Sequence, residues 1–270
     1  MPRVSVDERV EIHYEERGSG PLVVIASYWS MHPSALEPLT AALEADHRVV
    51  RYDDRGTGES TRTGPYDLDT AASDLAALLQ ALGEPAVIVG VADGPARAVR
   101  VADTHPELVA GIVCPGGVPI GRANFDDADA LATSESVITA LLQQIETDYR
   151  GALRALIGPT NEQMTEDEMR ERVIRQAEHV PVEAGAARLR AWAADDPIQL
   201  ARAAGDKLFV LVTDGITGNW FPTGAELAAV VANRLPEARV EQISDGWVSA
   251  PGDTAAVVRR ITAAAAHRVS

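Results

Sequence analysis

One cysteine in 270 residues, Cys114, excludes an intrachain disulfide. A chain so poor in cysteine is suited to a reducing interior, and a cytoplasmic location is the expectation. Basic residues are also in deficit. Lys and Arg number 24 against 40 Asp and Glu, a formal net charge of -16. Such a field repels phosphate backbones and anionic membranes, so nucleic acid and membrane surfaces are excluded as expected partners. No apolar run approaches the roughly 18 residues of a membrane span. The start, Met1 to Glu8, carries no continuous apolar segment of a secretory signal. No histidine, cysteine or carboxylate pair has metal-ligand spacing. No G-x-G-x-x-G follows a strand, so no cofactor is implied. Aromatic residues make up 4% of the chain, with four tryptophans, which gives each aromatic position weight. Repeats and low-complexity tracts are absent.

What is present alternates. Hydrophobic residues account for 46% of the chain. Val10 to Glu15 alternates apolar and polar and predicts an edge strand. Leu22 to Ala26 and Arg48 to Tyr52 predict strands, the first a continuous apolar run suited to burial on both faces. Leu36 to Leu43 has helical spacing. Thr70 to Leu82 predicts an amphipathic helix with Leu75, Leu78, Leu79 and Leu82 on one face. Ala86 to Val89 and Leu108 to Cys114 predict further strands. From Phe125 to about Gln199 no strand pattern is found, and Pro159, Pro181 and Pro197 punctuate helical periodicity. Strand signals return at Lys207 to Thr213 and Arg239 to Ile243, with helices at about 225–235 and 253–266. This order predicts a mostly parallel sheet covered on both faces. The expected division is a core over 1–120, a helical cap over 121–200 and the rest of the core over 201–270.

The apolar run Ala86 to Val89 leads into Gly90-Val91-Ala92-Asp93-Gly94 and then a helix-prone, alanine-rich stretch. Strand, sharp turn and helix is the context of the G-x-S-x-G nucleophile elbow, whose glycines permit the turn. Asp53-Asp54-Arg55-Gly56-Thr57-Gly58-Glu59-Ser60 has the form D-x-R-G-x-G-x-S. Together with Thr104-His105-Pro106-Glu107-Leu108-Val109 and the strand Leu208 to Asp214, these segments resemble the α/β-hydrolase fold in order over nearly the whole chain. The elbow is closest to the G-x-S-D-G variant. The resemblance implies an α/β class fold with a helical cap.

It also locates the residues that a hydrolase of this family needs, namely nucleophile, base and orienting acid. The nucleophile position holds Ala92, whose methyl group cannot attack a carbonyl. Counting from the strand that ends near Thr213, the acid falls on Thr217, with Asp214 as the rival if the loop is shifted. The segment Ile243-Ser244-Asp245-Gly246-Trp247 puts Trp247 where the histidine belongs. The family's His-Gly beside the oxyanion hole corresponds to about Ser27-Tyr28. The resemblance is therefore to a member without the triad.

Other polar residues have plain structural roles open to them. His13, His47 and His105 read as structural or exposed, since an isolated histidine needs a positioned partner to act. His179 is assigned no role. His32 lies on a loop expected to border the pocket. Asp53 and Asp54 read as turn residues that pair with Arg55 or cap backbone amides. Asp93 follows the nucleophile position. Its amide would be an oxyanion donor and its side chain either reaches the pocket or faces the helix dipole. The tryptophans carry the remaining signal. Trp29 falls on the oxyanion-side loop, Trp220 on the acid loop, Trp247 at the histidine position and Trp192 near the end of the cap. All four are expected at one apolar, stacking-competent cleft with neutral donors from Ser27, Tyr28 and Thr217.

That cleft suits a large, partly aromatic small molecule. The expected function is a non-hydrolytic ring closure, an intramolecular C–C bond formation such as conjugate addition, to which the enzyme contributes orientation and hydrogen-bond donors. The composition and fold resemble actinobacterial polyketide-tailoring members of the family, which implies a natural-product pathway such as that of the anthraquinone-fused enediynes. Two alternatives stand beside it. One is a non-catalytic metabolite-binding or self-resistance protein. The other is a residual hydrolase or cofactor-free lyase using Asp93, Asp214 or His32. The oligomeric state is left open, with a homodimer among the options.

Overall fold

The computed structural model describes residues 2–28, 31–116, 128–158, 164–213, 224–244 and 251–266. Among them, eight strands form one sheet: β1 (Arg3–Asp7), β2 (Val10–Arg17), β3 (Leu22–Ala26), β4 (Arg48–Tyr52), β5 (Ala86–Gly90), β6 (Val109–Pro115), β7 (Leu208–Val212) and β8 (Arg239–Gln242). Their order is β1-β2-β4-β3-β5-β6-β7-β8. The pairs β1/β2 and β2/β4 are antiparallel and the others parallel. The predicted strands are present, with one correction. β2 is not the edge, because β1 pairs along it with Val4 opposite Ile12. β1 has the sequence RVSVD, whose two valines are too brief a pattern to be recognised as a strand.

The parallel strands read as unbroken apolar runs because helices cover both faces. Alternate residues of one strand enter different cores. Val24, Val50, Ile88, Ile112 and Val210 pack with α2 (Leu68–Leu82), α3 (Gly94–Thr104) and α9 (Gly224–Arg234). Val23, Val49, Val87, Val113 and Leu211 pack with α1 (Glu37–Leu43) and α10 (Gly252–Ala266). Helix α2 starts where Asp67 accepts a bond from the Thr70 amide at 2.7 Å and stops at Gly83, φ 81°.

Between β6 and β7 run α4 (Ala128–Thr147), α5 (Tyr149–Ile157), α6 (Glu166–His179), α7 (Val182–Ala194) and α8 (Ile198–Ala204). Helices α4 to α7 have a hydrophobic cluster of their own, including Ile145, Leu153, Met169, Val173, Leu189 and Trp192. The sequence explains why α6 begins where it does. Thr165 and Glu168 form a reciprocal capping box. Among the described residues no helix is long and apolar enough to cross a membrane.

The connection from β5 to α3 is the tightest in the core. A Cβ on Gly94 would run into the Ala26 carbonyl oxygen, and one on Gly90 would meet Pro95 N. These partners are backbone or ring atoms that cannot rotate away. We expect Gly94→Ala to destabilise the protein by about 1–3 kcal/mol through overpacking. Gly158→Ala, at φ -53° with nothing within 4 Å of the added carbon, is expected to be neutral or mildly stabilising. Urea unfolding of the two variants measures the contrast, and equal midpoints would contradict the steric account.

Candidate functional site

At the carboxyl ends of the parallel strands the chain turns from β5 into α3 through Val91-Ala92-Asp93. The Val91 amide donates to Ala26 O at 3.0 Å and the Gly94 amide to Val91 O at 2.9 Å. Ala92 takes the strain of the turn. Its φ is 51°, and it is the non-glycine residue with positive φ among those described. A left-handed β-carbon-bearing residue between strand and helix is the elbow geometry the sequence implied. What the elbow presents is a methyl group.

The side chain of Asp93 does not line a cleft, which corrects one sequence expectation. It is 0% exposed and lies between two arginines. Arg188 Nη2 donates to Asp93 Oδ2 at 2.5 Å, and Arg97 Nη2 donates to Oδ1 at 3.3 Å. It stands at the N-cap of α3, the helix-start position expected for it, but makes no side-chain cap hydrogen bond there. The cofactor-free lyase or hydrolase reading that used Asp93 is therefore not supported by its position.

Asp54 completes the group. Arg97 Nη1 donates to Asp54 Oδ1 at 2.6 Å, and Arg188 approaches Oδ2 at 3.5 Å. Arg97 also donates to the Tyr52 hydroxyl at 2.8 Å and to the Ser27 carbonyl. Burial disfavours both guanidinium charges, yet Asp54 and Asp93 hold both arginines above the usual range. Burial raises the Tyr52 phenol. Of the two roles expected for Asp53 and Asp54, pairing with Arg55 is not made, whereas Asp53 does cap a backbone amide, that of Glu59. Arg55 instead binds Asp74, at 2.7 and 2.8 Å, and Asp7 at 3.1 Å.

Asp53 serves a second cluster. Its Oδ2 lies 3.0 Å from His13 Nδ1 and accepts the Glu59 amide at 3.0 Å. Its Oδ1 is 3.5 Å from His179 Nε2. His13 is thus a buried structural residue, as the sequence reading held. His179, which that reading left without a role, ends α6 and docks on the D-x-R-G-x-G-x-S loop. The Gly58 amide donates to His179 O at 2.8 Å, and Arg62 donates to Glu178 O at 3.2 Å. The His179 ring meets His32 edge-on, with centroids 5.1 Å apart.

His32 caps the turn Pro33–Leu36 through Nδ1, which accepts the Ser34 amide at 3.2 Å. An amide can only donate, so Nδ1 is the acceptor and Nε2 carries the proton. Burial, aided by His179, Arg175 and Arg172, lowers the imidazole pKa to about 4. His179 is also held below the usual range, chiefly by burial.

Tyr28 joins sheet and inserted helices. It packs against the core cluster that Ala92 and Met31 also touch, and against the cluster of α4 to α7. Its ring meets Trp192 edge-on at 6.4 Å. Trp192 is 8% exposed, and its indole N–H has no hydrogen-bond partner among the described residues. Trp29, Asp214, Thr217, Trp220 and Trp247 lie outside the described residues. Of the sequence candidates, the structure therefore brings Ser27, Tyr28, Ala92 and Trp192 to the junction of elbow, sheet end and inserted helices, with His32 beside them. Among the described residues no group of three or more His, Cys, Asp or Glu is arranged to hold a metal ion.

The sequence profile of the alpha/beta hydrolase family matches residues 18–265. The chain belongs to that family. Its α/β-hydrolase relatives include a 2-(acetamidomethylene)succinate hydrolase of Mesorhizobium japonicum, 29% identical over 141 residues, 51% of this chain and 49% of that protein. A non-heme haloperoxidase of Rhodococcus erythropolis is 32% identical over 123 residues, 44% of this chain and 45% of that one. The chain thus spans about half the length of these curated relatives. The bromoperoxidase structure from Bacillus anthracis superposes with a TM-score of 0.77 at 19% identity, covering 96% of this chain and 99% of that one. This likeness carries the fold alone.

Two predictions follow from the buried charges and rings. Arg188→Ala leaves Asp93 and Asp54 with one guanidinium between them. It should cost about 3–5 kcal/mol, read from denaturant unfolding, as for other broken buried pairs. A loss below 1 kcal/mol would mean that water or a neighbour replaces it. The depressed imidazoles set the second. Unfolded His32 takes up its proton near pH 6.5, whereas in the folded chain it does so near 4. The folded state then binds fewer protons in between, so stability is intact above pH 6.5 and falls as the pH drops towards 4. In a Tm series against pH, His32→Gln should flatten this decline, and parallel curves for variant and wild type would rule the assignment out.

Proposed function

We propose that this α/β-hydrolase family member is an enzyme that works without a protein nucleophile and catalyses a non-hydrolytic ring closure on a large, partly aromatic small molecule. The observation that carries the reading is Ala92, a methyl group held at φ 51° where the family's elbow presents its nucleophile. Thr217 and Trp247, at the acid and base positions by sequence, agree with it. Asp93 is no substitute, because two arginines occupy its carboxylate.

Conjugate addition fits what remains. An enol or activated C–H carbon of the substrate gives up its proton to solvent, and its electron pair forms a C–C bond to the β-carbon of an α,β-unsaturated carbonyl group in the same molecule. The displaced pair moves to the carbonyl oxygen, and the enolate then takes up a proton. The product is an isomer of the substrate, so no oxidant or co-reactant enters. Rate enhancement comes from holding the reacting carbons in contact and from donors aimed at the developing oxyanion. Tyr28 and Trp192 supply aromatic surface for such a substrate. The family's polyketide-tailoring members, including those of enediyne pathways, are the biosynthetic setting we infer.

A fluorophosphonate probe and a panel of aryl acetates test the reading. The wild-type protein should show neither labelling nor turnover. Ala92→Ser should remain without multiple-turnover hydrolysis, since one residue of a cooperating set does little alone. Sustained ester hydrolysis by either protein would overturn the proposal.

A further inference from the structure

We infer that the face of α6 turned towards His32 is a binding site for an anionic oxygen of the substrate, with Arg172 as its specificity-determining residue. The inference deepens the small-molecule reading above and rests on it.

Helical spacing places Arg172, Arg175 and His179 on one face of α6, three and four residues apart. The His179 end of that face is fixed by its ring contact with His32 and by the bond from Gly58. The Arg172 and Arg175 charges add to burial and His179 in opposing protonation of His32. Among the described residues, six other arginines that are buried or half-buried are matched: Arg48, Arg51, Arg55, Arg97, Arg100 and Arg188 each meet a carboxylate within 3.1 Å. Arg172 is half-buried and forms no ion pair among the described residues. Its charged form is disfavoured by burial and by Arg175. A guanidinium drawn partly out of water without a carboxylate is a costly arrangement, and an anionic ligand would relieve the cost.

The neighbouring donors fit the same ligand. His32 is neutral and protonated on Nε2, so it offers a hydrogen bond and not a base. The nearby carboxylate, Asp53, is occupied by His13, His179 and the Glu59 amide. A planar guanidinium matches a carboxylate, or the ionised oxygen of an aromatic hydroxyl or enol, in shape and charge. Such an oxygen conjugated to the substrate's ring system is the ligand group we assign.

Calorimetric titration with three planar probes tests it: anthraquinone-2-carboxylate, its uncharged carboxamide, and 2-hydroxyanthraquinone at pH values on either side of its hydroxyl ionisation. The wild-type protein should bind the carboxylate, or the ionised hydroxyanthraquinone, about 10–100-fold more tightly than the neutral counterpart. The probe that shows the preference identifies the anionic group. Arg172→Met should bring the charged and neutral forms to within about threefold while leaving the carboxamide unaffected. Arg172→Lys should retain part of the preference and Arg172→Gln should lose it, which keeps the test intact if the Met variant folds poorly. Arg170→Met removes a charge paired with Asp167 on another face of the helix and should change nothing. Equal binding of charged and neutral probes, a preference that survives Arg172→Met and Arg172→Gln, or no binding of any probe overturns the assignment. The nucleophile-free reading stands or falls separately on the ester assay.

Discussion

Beneath the elbow two arginines and two aspartates are buried in alternation, and the arrangement of the whole upper face of the sheet depends on them. Each carboxylate touches both guanidiniums: Asp54 meets Arg97 and Arg188, and so does Asp93. Four charges taken from water one at a time would be ruinous, but the quartet is neutral and each member has two opposite neighbours. Its parts come from the loop after β4, the elbow, α3 and α7. The inserted helices are therefore joined to the core by an ionic contact directly under the strained residue. A second joint, Arg100 with Asp195 at 2.6 Å, ties α3 to the residue that follows α7. Hinged motion of α7 would expose both, which makes it the fixed side of the junction.

This explains why the elbow persists although its serine does not. A positive φ at a residue with a β-carbon costs about 1–2 kcal/mol. In a hydrolase that strain presents a nucleophile. Here the conformation is imposed from below. Gly94 is pressed against the Ala26 carbonyl, and Asp93 is held by two arginines. The turn is a consequence of how strand, helix and charge cluster meet, so a change from serine to alanine in the family's pattern leaves the geometry in place.

Much of this was legible in the sequence, and the parts that were not share a cause. Strands buried on both faces declare themselves by composition, so β3, β5, β6 and β7 were readable, as was α2 from its leucine stripe. The elbow was readable because its residues are contiguous. β1 was not, since Val4 and Val6 give only one period of alternation. The charge quartet was not, because only Asp93 and Arg97 are near in sequence, four residues apart, while Asp54 with Arg97 and Asp93 with Arg188 lie 43 and 95 residues apart. Without those partners, Asp93 read as either a pocket residue or a helix-start carboxylate, and Asp54 as a turn residue. His179 was likewise silent: its role arises from the packing of α6 on the loop of Asp53, and a single histidine in a polar helix carries no signal of that.

The charge distribution separates two scales. The chain as a whole is strongly acidic, so an anionic ligand is repelled at a distance, within a field that salt at physiological strength screens over about 8 Å. The quartet contributes nothing to that field beyond its own dimensions, because it is neutral. The exception is the α6 face, where Arg172 has no carboxylate partner among the described residues and opposes protonation of His32 together with burial, His179 and Arg175. A protonated His32 would add a third cation to this face, but burial and the two arginines prevent it. On the proposed reading, recognition is then set by donors in fixed positions and not by bulk charge. A ring system with one anionic oxygen would be oriented by that oxygen at α6 while its apolar body met Tyr28 and Trp192. On the same reading, a methyl at the elbow and an imidazole that stays neutral down to about pH 4 suit the site to holding an oxyanion.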